Sequence, residues 1–404
     1  MYQPINFNKY NLTKKTFESL LRGIFFGIIT VYFYILSKEV CRNMRIKEFF
    51  KGAYKFILVG VPFMCIIFGC LIYFVRANGI KIGAGSDKKR GILENCKEMQ
   101  IPDLSYTDVL GDACTCMTPQ GICIAGEYIL ITAYCNVDSL KEELEKNSEQ
   151  TVNQMRMEAE ANHTRHNSVL YVLDRHNGSH VSTLVFDDKS HVGGITFDGD
   201  YVWVAKGGNC KIEGYSYVDL RACIDMGSYN YPMCKPLCEV VCEDITSFVT
   251  CYDDFIWVGT FSREESQNGV LIGYQVEEAG GIHCIETHKV IEIPPYANGA
   301  AFIDTDLGPY LAVTTSYGRN NNSTLHIYDA TNLDKINANS REMLPEFSNY
   351  SLPPMAEELC VEDEDIYFLF ESASTAYSFI EDSMCDDVTS TICILDRRNI
   401  INFD

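Results

Sequence analysis

Asp198-Gly199-Asp200-Tyr201-Val202-Trp203-Val204 recurs, altered, as Tyr252-Asp253-Asp254-Phe255-Ile256-Trp257-Val258. Weaker copies stand at Ala125-Gly126-Glu127-Tyr128-Ile129-Leu130-Ile131, at Thr305-Asp306-Leu307-Gly308-Pro309-Tyr310-Leu311 and at Glu362-Asp363-Glu364-Asp365-Ile366-Tyr367-Phe368. Each joins an acidic or glycine-bearing turn to a β-branched and aromatic run, the composition of a hairpin turn entering a strand. The last four copies lie about 55 residues apart. A period near 50 built of short strands marks a β-propeller with one blade per repeat. The expected fold is therefore all-β, a propeller of five four-stranded blades, or six if a degenerate blade escapes the pattern.

Around each turn the same plan repeats: an inner strand before it, a strong second strand after it, then a third and a fourth. The second repeat runs through Gly194-Ile195-Thr196-Phe197, the turn, Tyr201 to Ala205 and Ile212 to Val218. Third strands include Val169 to Asp174, Leu271 to Tyr274 and Leu325 to Asp329, and Asn177-Gly178 signals a hairpin into Val181 to Phe186. Met99-Gln100-Ile101-Pro102 is expected to complete the last blade beside Ile392 to Asp396, closing the ring and removing an open sheet edge. The propeller then occupies residues 96–404. Two insertions interrupt it. Residues 137–167, rich in Glu, Lys, Gln and Met without Gly or Pro, read as a helix capped by Asp138 or Ser139. Cys223 to Cys242 reads as an irregular loop.

Before the propeller the composition changes. Phe56 to Val75 is an uncharged run of 20 residues, long enough to cross a hydrocarbon core of about 30 Å as a helix. Arg42, Arg45, Lys47, Lys51 and Lys55 precede it and place residues 1–55 on the cytoplasmic side. No small-residue cleavage site follows, so the run reads as an uncleaved signal-anchor, with 77–95 as a polar tether and the propeller on the extracytoplasmic side of the cell membrane. Residues 1–43 are either an untranslated upstream extension before Met44 or carry an extra hydrophobic helix at Leu20 to Leu36, which Arg22 interrupts.

Residues 1–90 hold 15 basic and 4 acidic side chains of the 33 and 55 in the chain, so the remainder carries a net charge of −33. Such a field repels phosphate backbones and excludes nucleic acid as the expected partner, while favouring cations. Of the 18 cysteines, fifteen follow the anchor, an odd number that cannot pair completely. Cys123, Cys251, Cys360 and Cys393 fall in strands and read as buried hydrophobes, whereas Cys210, Cys223, Cys234, Cys238, Cys242 and Cys284 sit where disulfides can form.

Aligning the acidic turns puts five residues at one register, just before each inner strand: Gln120, Gly193, Ser247, Asn298 and Glu357. Inner strands line a propeller's channel, so these residues ring one mouth. Pro119, Pro295 and Pro354 stiffen three of the approaches. Convergent polar groups at a concave mouth form the expected ligand site, with Gln120, His191, Ser247, Asn298, Arg319, Glu357 and Glu358 as its residues. Glu357, Glu358 and Asn298 offer hard oxygen donors suited to calcium or another divalent cation. No nucleophile elbow, phosphate loop or dinucleotide fingerprint is present.

In repeat form the chain resembles the gluconolactonase/regucalcin-like and quinoprotein-like propellers. In the lactonase-like members a Glu, Asn, Asn, Asp set at the mouth holds a divalent metal; Glu357 and Asn298 match it by type and position, whereas Gln120 and Ser247 depart from it. The expected function is a membrane-anchored, extracytoplasmic binding or interaction module, taking a protein, cation or small molecule at its face. The alternative that the resemblance implies is a divalent-metal-dependent hydrolase.

Overall fold

The computed structural model describes residues 91–102, 107–146, 164–226, 229–277, 283–337, 341–378, 385 and 387–401. The anchor expected at 56–75, like everything before residue 91, lies outside them. No described helix is long and apolar enough to cross a membrane.

Five antiparallel sheets form the blades. Blade 1 is Met117–Ala125, Tyr128–Cys135, Val169–Asp174 and His180–Val185. Blade 2 is His191–Phe197, Tyr201–Gly207, Lys211–Ser216 and Cys238–Val241, and blade 3 is Phe248–Tyr252, Phe255–Gly259, Gly269–Glu277 and His283–Ile293. Blade 4 is Ala297–Thr305, Gly308–Thr315, Ser323–Asp329 and Glu346–Leu352. Blade 5 takes Ala356–Glu362, Asp365–Phe370 and Thr391–Asp396 from the end of the chain and Lys97–Gln100 from its start, with Met99 opposite Ile392. That exchange is the expected closure. Each inner strand touches the next, and the fifth touches the first, so the ring closes at five and leaves no place for a sixth blade.

The strand period of two builds the core between blades. Val202 and Val204 face blade 1, meeting Leu130, Leu170 and Val172, while Trp203 and Ala205 face blade 3, meeting Val249, Ile256 and Val258. Three further inter-blade layers, including the one closing blade 5 onto blade 1 through Leu369 and Ile131, complete the ring. The turns behave as their composition implies: Gly126, Asp253 and Asp363 each take a positive φ at the first residue of a two-residue turn, which tight hairpins require, and Gly199 does so in the middle of a three-residue one.

The two tryptophans occupy equivalent second-strand positions. Trp203 lies between Thr196 and Gly214, and Trp257 between Thr250 and Gly273. Both are fully buried. The outer neighbour is glycine in both blades because the indole covers it: a Cβ on Gly214 would stand 2.8 Å from the Trp203 ring, and one on Gly273 3.2 Å from that of Trp257.

Other expectations fail locally. Helix α1, Val137–Lys146, starts the first insertion, but residues 164–168 return without helical structure, so the helix does not run to 167. Cys223 to Cys242 is not an irregular loop. It ends helix α2, Tyr217–Asp225, and then supplies Tyr229–Pro232, a fifth strand parallel to the outer strand of blade 1, and the outer strand of blade 2. Ser216 stops the third strand by capping α2, its hydroxyl accepting from the Asp219 amide. Cys210, Cys223, Cys234, Cys238 and Cys242 carry thiols rather than disulfides.

Candidate functional site

The inner strands do not enter the channel smoothly. Register shifts fall at Gln120, Gly193 and Asn298, and over Glu357-Glu358. A bulge leaves one residue without a partner and re-aims its side chain, so four of the five aligned positions are turned out of the ladder. Threonines on the second strands pin the bulges between blades. Thr132 Oγ1 accepts from the Gly121 amide at 2.9 Å and donates to the Val192 carbonyl at 2.8 Å; Thr314 Oγ1 donates to the Glu357 carbonyl at 2.7 Å.

Above the bulges opens a cavity of about 710 Å³. Gln120, Gly193, Ser247, Asn298 and Glu357 all line it, as do His191 and Arg319. Of the residues expected at the mouth, Glu358 alone does not line it. Its neighbour Glu357 faces the mouth, whereas Glu358 is buried below it in the channel. There Oε2 accepts from the Ile122 and Ile195 amides at 2.9 Å each, and Oε1 from the Val249 amide at 3.4 Å. These amides occupy equivalent positions in blades 1, 2 and 3. Gly121, Gly194 and Gly299 clear the space, since a Cβ on any of them would come within 3 Å of Glu358. Glu358 is thus a strut across the channel. The expectation that it shares a mouth cation with Glu357 and Asn298 is corrected, because both its oxygens face backbone amides.

The partner of Glu357 at the mouth is Glu371, the first residue past the second strand of blade 5, which the alignment of inner strands misses. Glu357 and Glu371 are hydrogen-bonded through their carboxyls. Asn298 Nδ2 donates to Glu357 Oε1 at 3.2 Å, and Gln120 Nε2 donates to Glu371 Oε2 at 3.1 Å. Burial pushes the Glu357 carboxyl well up, helped by the neighbouring Glu371 charge. Burial also raises Glu371, to about 7, against the downward pull of its hydrogen bonds and of Arg319. One proton therefore resides between the two carboxyls near neutral pH. Like charges so close cannot both ionise cheaply.

Aromatic rings form the walls. The Tyr377 hydroxyl accepts from Asn136 Nδ2 at 2.9 Å, and the Arg319 guanidinium lies 5.1 Å from the Tyr377 ring centre. Tyr134 packs edge-on against His191, whose imidazole burial and the charges of Arg165 and Arg263 hold down at about 4, so it is neutral. The signal for Glu371 was a polar residue directly after an apolar second strand: Asn136 and Ser316 stand at the same place in blades 1 and 4.

The mouth's oxygen donors are Glu357, Glu371, Asn298, Gln120 and Ser247. This set fits a hard cation, with Glu371 taking the part expected of Glu358. A bound cation would replace the shared proton and require the two amides to turn their oxygens inward.

No family model matches the chain, and no curated protein sequence does. Among solved structures it is similar to glutaminyl cyclase of Myxococcus xanthus at 7% identity, covering 68% of this chain and 90% of that one with a TM-score of 0.38. It is also similar to hydrazine synthase of Kuenenia stuttgartiensis, at 9% identity, covering 62% and 55% with a TM-score of 0.32. The nidogen/laminin complex gives 9% identity, 63% and 73% coverage and a TM-score of 0.32. Nothing among these singles out the lactonase-like group.

Proposed function

We propose that the protein is a membrane-anchored, extracytoplasmic binding module whose propeller mouth takes a small ligand with a positive centre. The observation that carries the reading is the Glu357–Glu371 pair, two carboxyls sharing a proton on the floor of an aromatic-walled cavity. A positive centre that displaces the proton gains both carboxylates, and tyrosine and phenylalanine faces add cation–π attraction for an organic ammonium. Arg263 and Arg319 at the cavity wall suit an acceptor group at the ligand's other end. A divalent metal ion is the second reading, favoured by the all-oxygen donor set. The hydrolase alternative would act through that metal.

Calorimetric titration of the full-length protein in detergent tests both, with calcium chloride in one arm and simple mono- and diamines in the other. Binding in either arm should release about one proton and tighten as pH rises from 5 to 8, because the competing proton leaves. Glu371→Gln should weaken it at least tenfold, while Arg398→Ala, on a remote surface loop, should not. Failure of both arms overturns the reading. Anchoring is tested separately. Alkaline carbonate should leave the chain in the membrane pellet, and protease added to intact cells should reach the propeller; release of the chain, or protection of the propeller, overturns that part.

A further inference from the structure

Beside the mouth, in blade 1, three metal-binding side chains from separate stretches of chain meet. Cys114 ends a short hairpin, Thr107–Val109 with Asp112–Cys114, that precedes the blade. Cys135 ends the blade's second strand, directly after the cavity-lining Tyr134. His166 lies where the chain returns from the first insertion, just before the third strand. The two sulfurs are 3.6 Å apart, and the ligand atoms of all three residues lie within 4.8 Å of one another. Both cysteines are buried, at 3% and 2% exposure, and His166 is partly exposed.

We propose that Cys114, Cys135 and His166 form a site for a thiolate-preferring divalent metal ion of the zinc type, separate from the carboxyl pair at the mouth. The geometry suits such an ion. Two thiolates bound at about 2.3 Å to a tetrahedral centre stand about 3.8 Å apart, close to the separation seen here. A disulfide needs the sulfurs at about 2.05 Å, which the 3.6 Å arrangement does not supply without movement. Two thiolates with one imidazole are the donor set that selects zinc over hard cations, and the partial exposure of His166 leaves the fourth position to water. The two thiols already face each other, the Cys114 S–H donating to Cys135 Sγ. The physical effect of the ion would be a clasp. Cys135 and His166 stand at the two ends of the first insertion, and a bridge between them removes loop-closure entropy from the unfolded chain.

The test is titration of the full-length protein, metal-free and reduced in detergent, with cobalt(II) alone. One equivalent should bind with near-ultraviolet thiolate-to-cobalt charge-transfer absorption and the visible bands of tetrahedral cobalt, and zinc(II) should bleach both. Cys114→Ser and Cys135→Ser should each lose half or more of the charge-transfer absorption. His166→Asn leaves the buried sulfurs in place, so its melting curve should match the wild type while cobalt affinity falls at least about a hundredfold, since loss even of an outer-shell partner costs about 10–100-fold. Absence of these bands in the wild type overturns the proposal, as does wild-type cobalt binding by His166→Asn or Cys135→Ser. A Cys114–Cys135 disulfide whose reduction restores no cobalt binding overturns it as well.

Discussion

Glu358→Ala should lower the unfolding free energy by about 4–6 kcal/mol, because it strands three buried backbone donors at once. The carboxyl spans the channel and accepts from Ile122, Ile195 and Val249, one amide in each of three blades. An unsatisfied buried donor costs about 1–3 kcal/mol. Against a typical native stability of about 5–15 kcal/mol, such a loss threatens the ring itself. Glu358→Gln keeps the size of the side chain and one acceptor oxygen while replacing the other oxygen by NH₂. Its carbonyl oxygen can still accept from Ile122 and Ile195, while its NH₂ group meets the Val249 donor, so a loss of about 1–2 kcal/mol is expected. Urea denaturation of the two variants beside the wild type measures both. An alanine variant within 1 kcal/mol of the wild type would show that the carboxyl is no strut.

The contrast between Glu357 and Glu358 marks how far the sequence carries the site. The repeated turns gave the register, and that register correctly places Gln120, Gly193, Ser247, Asn298 and Glu357 around one cavity. Strand alternation governs this level, as it governs Trp203 and Trp257, whose large rings each demand a glycine on the next strand. The roles of adjacent residues at a bulge are not legible in the same way. Glu357-Glu358 reads as a doubled charge at one place, yet the bulge sends one carboxyl to the mouth and the other into the channel. Only the glycines at 121, 194 and 299 hint at the second destination, and their meaning depends on a side chain more than fifty residues distant.

Glu371 was hidden for a related reason: it belongs to the end of a second strand, and a lone acidic residue after Phe370 looks like any solvated strand end. The Cys223 to Cys242 stretch was misread because Ser216 caps a helix where β-rich composition suggested a longer strand. Cys114, Cys135 and His166 come together only once the preceding hairpin and the insertion's return are folded against blade 1. Spacing along the chain cannot show such a convergence.

The carboxyl pair should leave its mark on stability against pH. Glu371 is raised from its ordinary 4.5 to about 7, first by burial, and Glu357 is raised well above 4.5 by the same cause. A carboxyl raised in the folded state keeps its proton where the unfolded chain has already lost it. The native state then binds more protons, so the pair's contribution is intact below about pH 4.5 and is lost as pH climbs through about 7. Glu371→Gln removes one of the two acids and lets its amide donate to Glu357, which also lowers the cost of ionising that partner. Relative to the wild type, the variant should therefore gain stability steadily between pH 5 and pH 8. The gain should reach roughly 2–3 kcal/mol, the value of a shift of this size at about 1.4 kcal/mol per unit, less the part that coupling returns. Denaturant titrations of both proteins across that range isolate the difference, because every other titrating group is common to the two. A difference that stays flat from pH 5 to pH 8 would mean that the two carboxyls do not share a proton, and the cation-for-proton exchange proposed for the mouth would fall with it.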